Sequence, residues 1–339
     1  MNCSIYIDKS NIGNLQHLHQ IVEGFTMLKK EINVEYIQNV PFGLKNKQLC
    51  IVEIGGKKIL YDTLDGYSCY DDNLSEEGNL NLFDFMLDKV DFCFKRSFSI
   101  KINTNLKNAF KIHPLGFNYE VGRSAIKRFF FNSSIKSMLI NSSKFYFNMF
   151  SPNFFVKQSL TEEDVKNEGK IIFMTRLWEG EANKTLNKVR IECIRTCKKE
   201  FGDRFYGGLI PNKLSSAYPD LLLKNNSKRR FYLKLMFSCR YCIATTGLFN
   251  SIGWKFAEYI AASKCIISEP LYYQVPGNFI KDKNYFEFTN ANELIEHIKT
   301  LDSNPNLQIA MSKANFEYYK NYLSPDKLIY NSLKELALL

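Results

Sequence analysis

Short apolar runs alternate with amphipathic stretches along almost the whole chain. Runs at 4–7, 48–54, 58–61, 92–96 and 111–113 predict strands in the first half. Runs at 170–175 and 241–245, a strand and turn at 205–208, and the run at 265–268 predict the strands of the second. Between them apolar residues recur at helical spacing. Leu15, Leu18, Val22, Phe25 and Leu28 mark a helix over 15–31, and others are predicted over 184–201, 254–263, 292–301, 305–322 and 325–339. The runs at 241–245 and 265–268 are apolar at successive positions, as strands covered on both faces are. Strands alternating with helices in both halves predict an α/β chain of two parallel-sheet domains with a ligand cleft between them. A polar, acid-rich stretch at 161–170 follows Pro152 and separates the halves. The expected division is 1–155, a linker at 156–169, 170–322, and a C-terminal helix at 323–339 able to pack back on the first domain.

Chemistry concentrates in residues 240–272. A strand, a Gly-containing turn, a helix and a second strand follow one another there, the shape of a phosphate-binding half of an open α/β sheet. The helix is expected to begin near Ser251 to Gly253, where a hydroxyl can cap free N–H groups and Gly admits a ligand close to the backbone. Such a helix N-terminus attracts a phosphate or diphosphate, and Lys255 in its first turn adds positive charge. Glu258 lies one turn further on, where an acceptor for ribose hydroxyls would sit.

The run IGWKFAE at 252–258, followed by AASKCII at 261–267, resembles the donor-binding helix of glycosyltransferases with the GT-B fold. The resemblance covers 240 to about 278, and the run IIFMTRL at 171–177, a strand ending in Arg, adds to it. It implies two Rossmann-like domains facing a central cleft and a nucleotide-sugar as substrate, with no cofactor. By resemblance Glu258 holds the ribose, and Thr246, Gly247, Asn250, Ser251, Ile252, Gly253, Trp254 and Lys255 surround the donor. Arg176 faces the donor diphosphate, with Lys184 a second candidate. Retaining group-1 transferases carry another glutamate eight residues before the ribose-binding one. This chain has Asn250 there, which leaves the stereochemical outcome open.

Composition narrows the picture. The chain has 339 residues, 45% of them hydrophobic and 24% charged, enough for two globular domains. No stretch reaches the ~18 apolar residues that span a bilayer, and residues 1–8 lack a signal-peptide core, which predicts a cytoplasmic protein. Nine cysteines, several inside apolar patterns, suit structural thiols in a reducing compartment. Cys239 and Cys242 have redox or zinc spacing, but no second ligand pair accompanies them. The net charge of +10 calls for an anionic partner. Dispersed basic residues and the lack of any recognition motif argue against nucleic acid. The stretch 122–150 mixes Arg123, Lys127, Arg128, Lys136 and Lys144 with Phe129, Phe130, Phe131, Phe145, Tyr146 and Phe147. That mixture fits an anionic membrane surface, and equally a pair of amphipathic helices closing the first domain's core.

In the first domain Asp62 and Asp65 end a strand beside Gly66. Either is a candidate general base for an acceptor hydroxyl, although Asp-x-x-Asp-Gly is also a routine turn. His113 ends another strand and is the third candidate base. Lys95 and Arg96 follow a short strand and are candidates to hold an acceptor phosphate. Arg190 and Glu192 read as helix-face charges, and His17, His19 and His297 as ordinary helix histidines. Asp71 and Asp72 fall in a polar loop with no apolar strand before them, so no metal site is expected. Two functions stand against each other. One is a metal-independent glycosyltransferase of cell-surface polysaccharide or lipopolysaccharide assembly, acting on a glycan or lipid-linked acceptor at the inner face of the membrane. The other is a sugar-nucleotide-binding protein or epimerase-like relative without transferase activity. Against the latter, the early Gly-Thr-Arg-Pro-Glu motif usual in epimerases of this fold is absent.

Overall fold

The computed structural model describes residues 1–7, 16–37, 48–122, 150–223 and 228–339. The N-terminal half holds β1 (Asn2–Tyr6), α1 (His19–Met27), β2 (Asn33–Ile37), β3 (Leu49–Ile54), β4 (Lys57–Asp62), α2 (Glu76–Asp88), β5 (Phe92–Lys95), α3 (Ile100–Asn103) and β6 (Ile112–Pro114). A short α4 (Pro152–Phe155) precedes the C-terminal half. That half holds β7 (Ile171–Thr175), α5 (Lys184–Phe201), β8 (Phe205–Leu209), α6 (Arg229–Ser238), β9 (Tyr241–Ala244), α7 (Trp254–Ala261), β10 (Cys265–Ser268), β11 (Tyr285–Glu287), α8 (Ala291–Asp302), α9 (Pro305–Tyr318) and α10 (Pro325–Glu335).

Two sheets result, ordered β2-β1-β3-β4-β5-β6 and β11-β10-β9-β7-β8. The second is parallel throughout. In the first, β1–β2, β4–β5 and β5–β6 pair in parallel, while β3 runs antiparallel to both β1 and β4. The reason is local. Gly55 and Gly56 adopt φ of 57° and 74°, the left-handed pair that a two-residue hairpin turn requires. Side-chain caps fix several helix starts: Ser75 accepts from Gly78 N–H, and Asn290 from Asn292 and Glu293 N–H.

The chain crosses back at its end. After α9 a π-helical turn, Tyr319–Leu323, leads into α10, which lies on α1. Between the sheet and α10, eight of the nine residues of α1 are buried. Gln20 donates to the Leu323 carbonyl (2.8 Å), and the Tyr61 and Ser332 hydroxyls are 2.7 Å apart. The segment 156–169 is tied to the C-terminal half: Lys157 N–H donates to the Ala261 carbonyl (3.2 Å) and Leu160 N–H to Ser312 (2.9 Å). One apolar cluster runs through both halves, from Leu60 and Phe83 through Phe117 to Phe256 and Tyr285. No helix among the described residues is long and apolar enough to cross a membrane. The basic, aromatic stretch 123–149 lies outside the described residues.

Candidate functional site

In the second sheet the order reverses between β7 and β9, since β8 follows β7 to one side while β10 and β11 follow β9 to the other. Open α/β sheets leave a crevice at the carboxyl ends of such a strand pair. A cavity of about 610 Å³ opens there and reaches across to the N-terminal domain.

Arg190 of α5 organises its floor. Only 4% exposed, it donates to the Arg176 carbonyl after β7, to the Thr245 hydroxyl (3.1 Å) and to the Thr246 carbonyl (2.7 Å) after β9. One guanidinium thus ties both strand ends at the switch point. Burial pushes it down to about 10, with Glu269 opposing. Arg190 is therefore no surface charge, contrary to expectation, whereas Glu192 is one, half-exposed near Lys188. The signal lay in the sequence: Arg190, Ile194, Cys197 and Phe201 share one helical face, and that face is buried.

The helix α7 points its N-terminus at this floor. Gly253 is its N-cap, and no side chain caps it, so the hydroxyl cap expected near Ser251 does not form. Gly247, Ser251, Gly253, Trp254, Lys255 and Glu258 line the cavity with Arg176. Lys255 donates to the Met174 carbonyl of β7, and its ammonium lies over the Tyr232 ring, 5.3 Å from the centroid. Arg176 is exposed and makes no ion pair among the described residues. Glu258 is fully buried. Its carboxylate stands 2.7 Å from Arg229 Nη2, and Arg229 Nε stands 3.1 Å from Glu120. Both Glu258 oxygens are buried, and neither completes a well-angled hydrogen bond among the described residues.

The N-terminal domain supplies the opposite wall. Arg96, 4% exposed, pairs with Asp65, donates to the Thr63 carbonyl (3.0 Å), and reaches the Ile252 carbonyl across the cleft (3.3 Å). His17 lines the cavity as well, its ring centroid 4.7 Å from that of Trp254. Its Nδ1 is buried without a hydrogen-bond partner among the described residues. Burial, then the Arg96 charge, pushes His17 down to about 4, with Asp65 opposing, so the ring is neutral. Nothing in the sequence marked His17, because its exposure to the cavity depends on how the two domains face each other.

Seven expected site residues do not line the cavity. Asp62 and Lys95 form an ion pair of 2.8 Å in the core, both side chains fully buried. Tyr70 donates to the same carboxylate (2.6 Å), and the Tyr67 ring covers the ammonium at 4.3 Å. His113 bonds Glu335 of α10 (2.7 Å), away from the cavity. Lys184 is exposed and pairs with Glu181 (2.7 Å). Thr246 turns its N–H and hydroxyl to Glu269 (2.7 and 3.0 Å). Ile252 contributes its carbonyl to Arg96. Asn250, at φ 57°, sits in an exposed turn beside Phe249 at φ 53° and is not part of the cavity wall. Cys239 and Cys242 are buried free thiols, both pushed up by burial.

No protein-family model matches the chain, and no curated protein does. Solved structures do match. HepE of Anabaena in complex with UDP and glucose is 10% identical over 100% of both chains, with a TM-score of 0.50. The same protein in complex with UDP-glucose matches at 10% identity over 98% of this chain and 99% of that one, again with a TM-score of 0.50. The C-terminal domain of the glycosyl transferase group 1 family protein LpcC from Francisella tularensis is 12% identical, covering 50% of this chain and 96% of that one, with a TM-score of 0.35. At these identities the likeness is one of fold. The chain has the GT-B fold, two Rossmann-like domains facing a cleft.

Proposed function

We propose that the protein is a glycosyltransferase that moves a sugar from a nucleotide-sugar to a glycan or lipid-linked glycan acceptor in cell-surface polysaccharide assembly. The observation that carries this is the cation-rich floor at the sheet's switch point: an uncapped helix N-terminus with Arg176, Arg190 and Lys255 around it, and the Glu258 carboxylate one turn deeper. A diphosphate is the ligand such a floor neutralises, and a ribose diol one turn further would donate to Glu258. HepE holds UDP-glucose, so UDP-glucose is the first donor to test.

As the bond between the sugar C1 and the diphosphate oxygen breaks, negative charge grows on the departing oxygen, and the same cations stabilise it without a metal ion. The acceptor oxygen attacks C1 from the N-terminal side, and its proton passes to His17. Asp65, beside Arg96 on that wall, favours the imidazolium that forms, against burial and the Arg96 charge. This path inverts C1. It accords with Asn250 standing outside the cavity wall where retaining group-1 enzymes carry a glutamate. The basic, aromatic stretch 123–149 supports action near an anionic membrane face.

A thermal-shift panel of UDP-, GDP-, CMP- and dTDP-sugars tests the donor, since a ligand at 100 times its Kd stabilises by about 2.7 kcal/mol. Transfer to glycan acceptors with the stabilising donor tests the reaction. No stabilisation by any member would refute the donor site; stabilisation with an altered sugar and no transfer would make the protein an epimerase-like relative.

A further inference from the structure

We propose that Lys255 takes up a proton when a nucleotide diphosphate enters the cavity, so that donor binding at this site is proton-linked. The inference rests on the nucleotide-sugar reading and deepens it. Four cations bear on the cavity floor: Arg190 from α5, Arg176 after β7, Arg229 from α6 and Lys255 itself on α7. The carboxylate facing Lys255, Glu258, is already held by Arg229, which Glu120 approaches from behind. Tyr232 presents its ring to the ammonium, and its own hydroxyl is pushed up by burial, so it brings no charge. On the opposite wall Asp65 balances Arg96, and His17 is neutral.

Arginines do not release protons in the ordinary range, so crowding among these four is relieved at the lysine alone. Among the described residues the geometry gives its ammonium one acceptor, the Met174 carbonyl. Burial and the three guanidinium groups hold it down to about 8 from 10.5, with Glu258 opposing. A diphosphate brings negative charge into contact with the ammonium and returns the lysine to its charged form. The sign follows: the bound state holds the proton more tightly, so affinity is greatest below the free-state value and falls as pH rises through it.

UDP-glucose is the probe, because its diphosphate is doubly esterified and exchanges no proton of its own in this range. Calorimetry at pH 8 in two buffers of different ionisation enthalpy should read about half a proton taken up per ligand, and affinity should fall about threefold between pH 7.5 and 8.5. Lys255→Arg keeps the charge but cannot release it. It should bind with the same heat in both buffers. Equal heats for the unsubstituted protein, or uptake that persists in Lys255→Arg, would overturn the proposal. If that variant does not fold, a flat affinity from pH 7.5 to 8.5 in the unsubstituted protein does the same. If UDP-glucose does not bind, the sugar nucleotide that stabilises in the panel replaces it as probe; failure of every member of the panel to bind removes the donor reading and this inference together, an outcome distinct from binding without proton exchange.

Discussion

Arg229 holds Glu258 at 2.7 Å while its Nε faces Glu120 at 3.1 Å, so one partly buried guanidinium serves two carboxylates from different parts of the chain. The two residues are unequal in consequence. Arg229→Ala removes the ion-pair partner of two buried carboxylates and should cost about 3–5 kcal/mol. Glu258→Gln leaves Arg229 paired with Glu120 and should cost clearly less. Urea unfolding of the two variants checks this, and equal losses would count against the shared-cation account. Glu258→Gln should instead weaken nucleotide-sugar binding by roughly 1.5–3 kcal/mol, the loss of a charge-assisted bond to a hydroxyl.

Arg176 and Arg190 should separate binding from folding. Arg176 is exposed and without an ion-pair partner among the described residues, so Arg176→Ala should lower donor affinity with an unchanged urea midpoint. Arg190 joins the two strand ends through three hydrogen bonds, and Arg190→Ala should lower both. A stable Arg190→Ala that binds donor normally would refute its role at the switch point.

Lys95 pairs with Asp62 inside the core, where neither reaches the cavity. Lys95→Met strands a buried carboxylate and should destabilise by about 3–5 kcal/mol. Lys95→Met combined with Asp62→Leu should regain much of that loss. Donor affinity of the folded double variant should match the unsubstituted protein. A selective loss of acceptor use with full stability would restore the acceptor-binding role expected for Lys95 from sequence.

These cases show which parts of the site were legible. The strand, turn and helix from Tyr241 to Ser268 announced themselves because strand and helix periodicities change over at fixed points, and Gly253, Lys255 and Glu258 followed from that placement. Asp62 and Lys95 misled because each ends a strand, the usual place for a functional residue. Yet β4 and β5 pair with Asp62 directly opposite Lys95, which turns both into one internal ion pair. Arg229 carried no signal, since its partners Glu120 and Glu258 are remote in sequence. The antiparallel β3 was hidden in a pair of glycines whose φ values only the folded chain reveals.

Burial of two histidines makes stability fall in mild acid. His17 is pushed down to about 4 and His19 to about 3, both by burial first, from an ordinary 6.5. Between those values and 6.5 the unfolded chain binds more protons than the folded one, so stability is present above 6.5 and is lost as pH falls toward 4. The urea midpoint should drop over that window. His19→Phe, which cannot take up the proton, should flatten the drop; an identical profile in that variant would remove His19 as a source.

The base is the sharpest test of mechanism. Asp62 is sealed by Lys95 and Tyr70, His113 is held by Glu335 away from the cavity, and Asp65 is engaged by Arg96. That leaves His17, whose neutral ring lines the cavity. A positioned base contributes about 10²–10⁴-fold to rate, so His17→Ala should lower kcat by that order with donor affinity nearly unchanged, because the proton moves only in the transition state. Asp65→Asn should lower kcat by less and shift the acid limb of the pH profile downward, since it removes the charge that favours the imidazolium. His113→Ala should leave turnover near normal. The chain's two tryptophans, Trp178 and Trp254, both line the cavity, so their fluorescence reports donor binding in each variant independently of turnover. Near-normal kcat in His17→Ala, with donor and acceptor saturating, would discard the inverting path and favour a mechanism that needs no base from the protein.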